Sequence, residues 1–200
     1  MRRSRFLLAG VLAALLAVTA CDKLSPPAKS PFHGADVTGS DLGGGLSLSD
    51  PQGHARTLAD FRGKVVAVTF GYTHCPDVCP TTLHDYSLAL KKLGTDASRV
   101  QVVFVTVDPK RDTAEVLRQY VPAFDPSFIG LRGDEAATER AKKAFHVFSE
   151  EVPGPTADYT VNHSSQVFVF DAEGRARLVI PAGTPPADIA ADLRVLLDRS

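Results

Sequence analysis

The sequence predicts an α/β domain, and three observations carry that prediction. Two apolar, β-branched runs of strand length, Lys64–Gly71 and Val100–Asp108, read as central strands covered on both faces. Between them Pro80–Leu93 has helix-type spacing and stops at Gly94, a residue suited to a helix C-terminus. The alternation then continues: Thr113–Val121 reads as a helix stopped by Pro122, Phe128–Leu131 as a short strand and Glu135–Phe145 as a third helix. Gln166–Asp171 and Arg175–Ile180 flank Ala172-Glu173-Gly174 as a hairpin with Gly at the turn, and an amphipathic helix over Ala187–Leu197 closes the chain. Ahead of all this, the Gly-rich stretch from Phe32 to Leu58 predicts short hairpins held by turn residues, an N-terminal β extension. Strand, helix, strand, helix, then a hairpin and a last helix is the order of a thioredoxin-like (redoxin) fold with an inserted βα segment.

The 200 residues are 44% hydrophobic and 22% charged, which excludes disorder throughout and is enough chain for a core without disulfides or structural metal. A formal charge of -1 with no long basic run excludes the electrostatic footprint of a nucleic-acid binder. The first twenty residues read as a signal peptide: Arg2, Arg3 and Arg5 precede an uncharged run from Phe6 to Val18, too short for the ~20 residues of a permanent span. Val18-Thr19-Ala20-Cys21 resembles a bacterial lipobox, which implies cleavage before Cys21 and lipidation of that residue. Plain secretion with Cys21 left as a thiol is the competing reading. Residues 22–31 then form a Pro-rich tether, and one domain is expected over 32–200. Asp22 resembles the signal that retains lipoproteins at the inner membrane of Gram-negative bacteria. Without residues 1–20 the chain carries a net charge of -4.

The chemistry concentrates in Thr69–Leu83, where Cys75 and Cys79 stand four apart between a buried strand and a helix whose first turn holds Pro80. In a near-helical turn, residues i and i+4 lie ~5–6 Å apart at Cβ, so both sulfurs reach each other or one small metal ion. The helix start favours thiolates, and the pair is expected to be soft and reactive. Three readings compete. A structural disulfide closing so short a loop gives only about 2 kcal/mol in the chain-entropy model. A zinc Cys₂His₂ site needs His74 or His84 as a fourth ligand, although His74 adjoins Cys75 and His84 sits within the helix. The third takes His163 as the remaining candidate ligand, which lies just before a predicted strand whose entry loop faces the cysteines in thioredoxin-like folds. As a loop histidine, His163 has Ser164 and Ser165 for ordinary hydrogen-bond partners.

Three stretches in this order, FGYTHCPDVCPTTL, TVDPKRDTAEVLRQYV and DYTVNHSSQVFVFDAEG, resemble the SCO/SenC family of copper-binding assembly factors for cytochrome c oxidase. The likeness runs from about Phe32 to Ala182 and includes GADVTG and LADFRGK. It implies a thioredoxin-like fold and assigns the copper ligands to Cys75, Cys79 and His163. The assignment suits the donors, since soft thiolates select Cu(I) and one imidazole completes a site that also tolerates Cu(II). Met1, the only methionine, leaves with the signal peptide, which excludes a Met-rich copper site. Many relatives carry Asp before the ligand histidine where this chain has Asn162, an amide that supplies no negative partner. Asp108 and Asp112 match a family motif beside the cysteine loop, as orienting groups or as plain turn residues.

The resemblance implies a membrane-anchored metallochaperone that takes one copper from an unknown donor and delivers it to the binuclear site of the copper-bearing oxidase subunit. No turnover is implied, a monomer is the default expectation, and the lipobox-like sequence with Asp22 points to the periplasmic face of the inner membrane. The alternative is an enzyme, a thiol-disulfide oxidoreductase in which Cys75 and Cys79 keep the oxidase's copper-ligand cysteines reduced. A peroxidase reading is disfavoured, because Val68 and Thr69 stand where the Pro of its Pro-x-x-x-Thr-x-x-Cys pattern falls.

Overall fold

The computed structural model describes residues 30–154 and 158–199, and residues 31–200 make one compact unit. The predicted signal peptide, Cys21 and nearly all of the tether lie outside the described residues. Among those described, no helix is long and apolar enough to cross a membrane. The strands are β1 (Ala35–Asp36), β2 (Leu48–Ser49), β3 (Ala55–Arg56), β4 (Val65–Gly71), β5 (Val100–Thr106), β6 (Ile129–Leu131), β7 (Ser149–Pro153), β8 (Tyr159–His163), β9 (Val167–Phe170) and β10 (Ala176–Ile180). The α-helices are α1 (Val78–Leu93), α2 (Ala114–Tyr120), α3 (Glu135–Ala144) and α4 (Pro186–Leu197).

Six strands form the central sheet in the order β1-β10-β9-β4-β5-β6. β4, β5 and β6 run parallel, β9 and β10 antiparallel to their neighbours. All seven residues of β4 are buried, as a strand covered on both faces requires. On one face Ala67, Phe104 and Val169 pack with Leu83 and Leu90 of α1 and with Ile189 and Leu193 of α4. On the other, Val68, Phe70, Val103 and Phe168 pack with Phe145, after α3, and with Leu46 and Leu48 of the N-terminal extension. This is the thioredoxin-like architecture expected from the sequence. Gly94, at φ +64°, ends α1 where an L side chain would be strained.

Two departures from the sequence reading matter. The N-terminal extension contains one local hairpin, β2–β3, but β1 pairs with β10, at the opposite end of the domain's sequence. A buried Asp192 carboxylate on α4 accepts the backbone N–H groups of His33 and Gly34 at 2.8 Å each, which fixes that pairing. The second departure is an additional antiparallel hairpin, β7–β8, in a stretch read as loop. Its strands are polar and largely solvated, so they lack the apolar alternation that marks a half-buried strand.

Candidate metal centre

β4 ends at Gly71 and the chain turns through Tyr72–Asp77 before α1 begins, bringing Cys75 to the mouth of the turn and Cys79 into the first helical turn. The Cys79 N–H, one of the donors a helix start leaves free, points at the Cys75 sulfur at 3.5 Å. Cys75 is half-buried, Cys79 is 4% exposed, and both are free thiols. Gly71 makes room for them, since a Cβ there would lie 2.8 Å from the Cys79 sulfur. The loop is held from below by Asp112, fully buried, whose carboxylate accepts the Thr73 hydroxyl at 2.6 Å, the Thr73 N–H at 3.1 Å and the Thr106 hydroxyl at 2.5 Å.

His163 closes β8 with Nε2 3.2 Å from the Cys79 sulfur. Its Nδ1 lies 2.9 Å from the Ser164 carbonyl, an acceptor only, so Nδ1 carries the proton and Nε2 presents its lone pair to the cysteines. Tyr72 stands edge-on to the imidazole, with centroids 5.9 Å apart. The two sulfurs and the imidazole nitrogen lie within 4.8 Å of one another, the only such group of three or more His, Cys, Asp or Glu among the described residues. Each distance is short enough for one small ion to bridge all three donors.

Electrostatics here run against the expectation of a thiolate-favouring helix start. Burial pushes the Cys79 thiol far above its usual range; Cys75 and the buried Asp112 add to this, and a hydrogen bond with the Tyr72 backbone opposes it. Desolvation outweighs the helix terminus. The shift favours the protonated thiol at Cys79.

The Cys₂His₂ arrangement is not assembled. His74 Nδ1 turns to the Thr73 hydroxyl at 3.2 Å and lies 3.9 Å from Asp112, while His84 is exposed on α1. Asn162 is exposed on the strand face opposite to that of His163, across from Glu150, so it does not stand behind the imidazole as a partner. Sequence reasoning named Ser164 as a hydrogen-bond partner of His163, and the bond goes to its backbone carbonyl; the roles of Gly71 and Tyr72 it missed. Only Gly71 left a signal, a glycine ending a buried strand beside a cysteine loop.

Fold and site together define a thioredoxin-like protein with a two-cysteine, one-histidine cluster that could hold a metal ion. The SCO1/SenC family model matches residues 35–198, and the chain belongs to that family. It is 37% identical over 136 residues to a SCO2-like protein of Rickettsia felis, covering 67% of this chain and 66% of that protein. With the mitochondrial SCO2 homolog of Mus musculus it shares 38% over 134 residues, 66% of this chain and 52% of the relative. The chain thus spans between about half and two thirds of the length of these curated relatives. Among solved structures, Bradyrhizobium japonicum ScoI with copper bound superposes with a TM-score of 0.72 at 38% identity, covering 78% of this chain and 99% of that one.

Proposed function

We propose that this chain is a metallochaperone that carries one copper ion as cargo on Cys75, Cys79 and His163 and passes it to the binuclear copper site of cytochrome c oxidase. The observation that carries the reading is the aim of the His163 Nε2 lone pair at the Cys79 sulfur, 3.2 Å away, with Nδ1 tied to the Ser164 carbonyl. Two soft sulfurs and one imidazole suit Cu(I) better than a hard cation. Membership of SCO1/SenC supports it, since the Sco family is one of cytochrome c oxidase assembly proteins, and ScoI of the same fold is seen with copper. Transfer proceeds by ligand exchange, with acceptor thiolates replacing Cys75 first because it is the more exposed sulfur. Lipidation at Cys21, with the domain on the periplasmic face of the inner membrane, belongs to the same reading and rests on the lipobox-like sequence.

The test is copper stoichiometry and Cu(I) affinity of the reduced protein against a chromophoric chelator, beside His163→Ala. One tightly bound copper, weakened at least tenfold in the variant, is expected. Binding unchanged by the substitution would remove the three-ligand site.

A second reading rests on the two free thiols four residues apart. Cys75 and Cys79 close a disulfide while one target disulfide opens to two thiols, the electrons passing from this protein to its partner. His163→Ala separates the two, because copper binding needs the imidazole and thiol exchange does not.

A further inference from the structure

The hairpin that ends in His163 is two-stranded and largely solvated, and such hairpins are marginal alone in water. Something has to hold it against the domain. The loop after β5, Val107–Asp112, does so from a rigid base, because Arg132 donates to the carbonyls of Pro109 and Asp112 at 3.0 and 3.1 Å. While Asp112 grips Thr73 in the cysteine loop, Asp108 and Arg111 reach the other way. Arg111 Nε donates to Asp108 at 2.5 Å, and Nη1 donates to the Tyr159 carbonyl and to Asp158 at 2.8 Å each. The guanidinium lies over the Tyr159 ring at 3.6 Å and 5.6 Å from the centre of the Tyr72 ring, the one edge-on to His163. The Tyr159 hydroxyl completes the set by donating to Asp108 at 2.9 Å.

We infer that Arg111 is a positioning residue that, with Asp108 and Tyr159, latches the β7–β8 hairpin to the loop that also holds the cysteines, so that His163 is set against Cys79 before copper arrives. One six-residue loop thereby aligns both halves of the centre. The inference deepens the copper reading and rests on it for the ligand role of His163. A planar fork that stacks and donates in several directions does this, which a lysine cannot reproduce.

Two measurements on the reduced protein test it. The first is Cu(I) affinity by chelator competition for Arg111→Ala, alone and combined with His163→Ala. About a tenfold loss is expected in the single variant and less than twofold when His163 is already gone, with Arg111→Lys recovering only part. Equal losses in both backgrounds, or none, would overturn the inference, since a merely structural role weakens binding with or without the imidazole. The second is amide hydrogen exchange of metal-free Arg111→Ala. Residues 159–163 are expected to exchange about tenfold faster with β4 and β5 unchanged, and unaltered hairpin exchange would overturn the latch. If Arg111→Ala loses protection everywhere, Tyr159→Phe replaces it, removing only the hydroxyl bond to Asp108, with the same pattern expected at smaller size and overturned by its absence. Unmodified protein that binds no copper would overturn the proposed function, leaving the exchange result to decide the latch.

Discussion

At the scale of single residues, the centre depends on an atom that is missing. Gly71 faces the Cys79 sulfur and the Phe104 ring so closely that a methyl group would meet them at 2.8 and 2.9 Å. Neither neighbour has room to retreat, because Phe104 is 1% exposed and Cys79 is fixed in the first turn of α1. Gly71→Ala is therefore expected to destabilise the protein by about 1–3 kcal/mol through overpacking. It is also expected to lower Cu(I) affinity about tenfold, the equivalent of about 1.4 kcal/mol. Urea unfolding and chelator competition measure the two, and unchanged copper affinity would mean the sulfur yields without leaving ligand geometry. The three donors were legible because soft side chains in family motifs advertise themselves. Gly71 left only the signal of a glycine ending a buried strand, since its contact with Cys79 exists only once β4 and α1 are placed. Asn162 was read as an amide that supplies no negative partner, and strand alternation turns it to the face opposite His163.

At the scale of elements, the β9–β10 turn is held by one carboxylate. Asp171 accepts the Glu173 and Arg175 backbone N–H groups at 3.2 and 2.9 Å and the Arg175 and Arg177 side chains at 2.9 and 3.3 Å. Burial pushes this carboxyl up, but the hydrogen bonds from Arg175 and Arg177 together hold it below the ordinary range. Because the folded-state pKa lies below the unfolded one, the stabilisation is present above about pH 4 and is lost as pH falls through the folded value. Asp171→Asn, which keeps the shape without the charge, is expected to be less stable than the parent at pH 6, with the gap closing as pH falls below about 4. Urea midpoints across that range measure it, and a constant gap would place the effect in shape rather than ionisation. This turn was legible because Gly174 and the flanking apolar runs are local signals. The β7–β8 hairpin was not, because partners outside it, Arg111 among them, supply what its own strands lack.

At the scale of the whole molecule, the centre joins parts far apart in sequence: Cys79 and His163 meet across 84 residues. The two central strands were legible from their buried runs, whereas the pairing of β1 with β10 was not, since an isolated Ala-Asp pair carries no strand signal. This separation sets what copper does to stability. On the proposed copper reading, Cys75 and Cys79 stay four residues apart in the unfolded chain and still offer Cu(I) two sulfurs there, so only the affinity gained by placing His163 and the sulfurs together stabilises the fold. A hundredfold preference for the folded state is worth about 2.7 kcal/mol. For a chain of this size that is a Tm rise of about 5–11 °C under saturating Cu(I). Calorimetry of the reduced protein with and without Cu(I) measures the rise, and His163→Ala is expected to lose more than half of it. A rise of the same size in that variant would mean that the fold adds nothing beyond the adjacent thiols, which would sink the three-ligand centre.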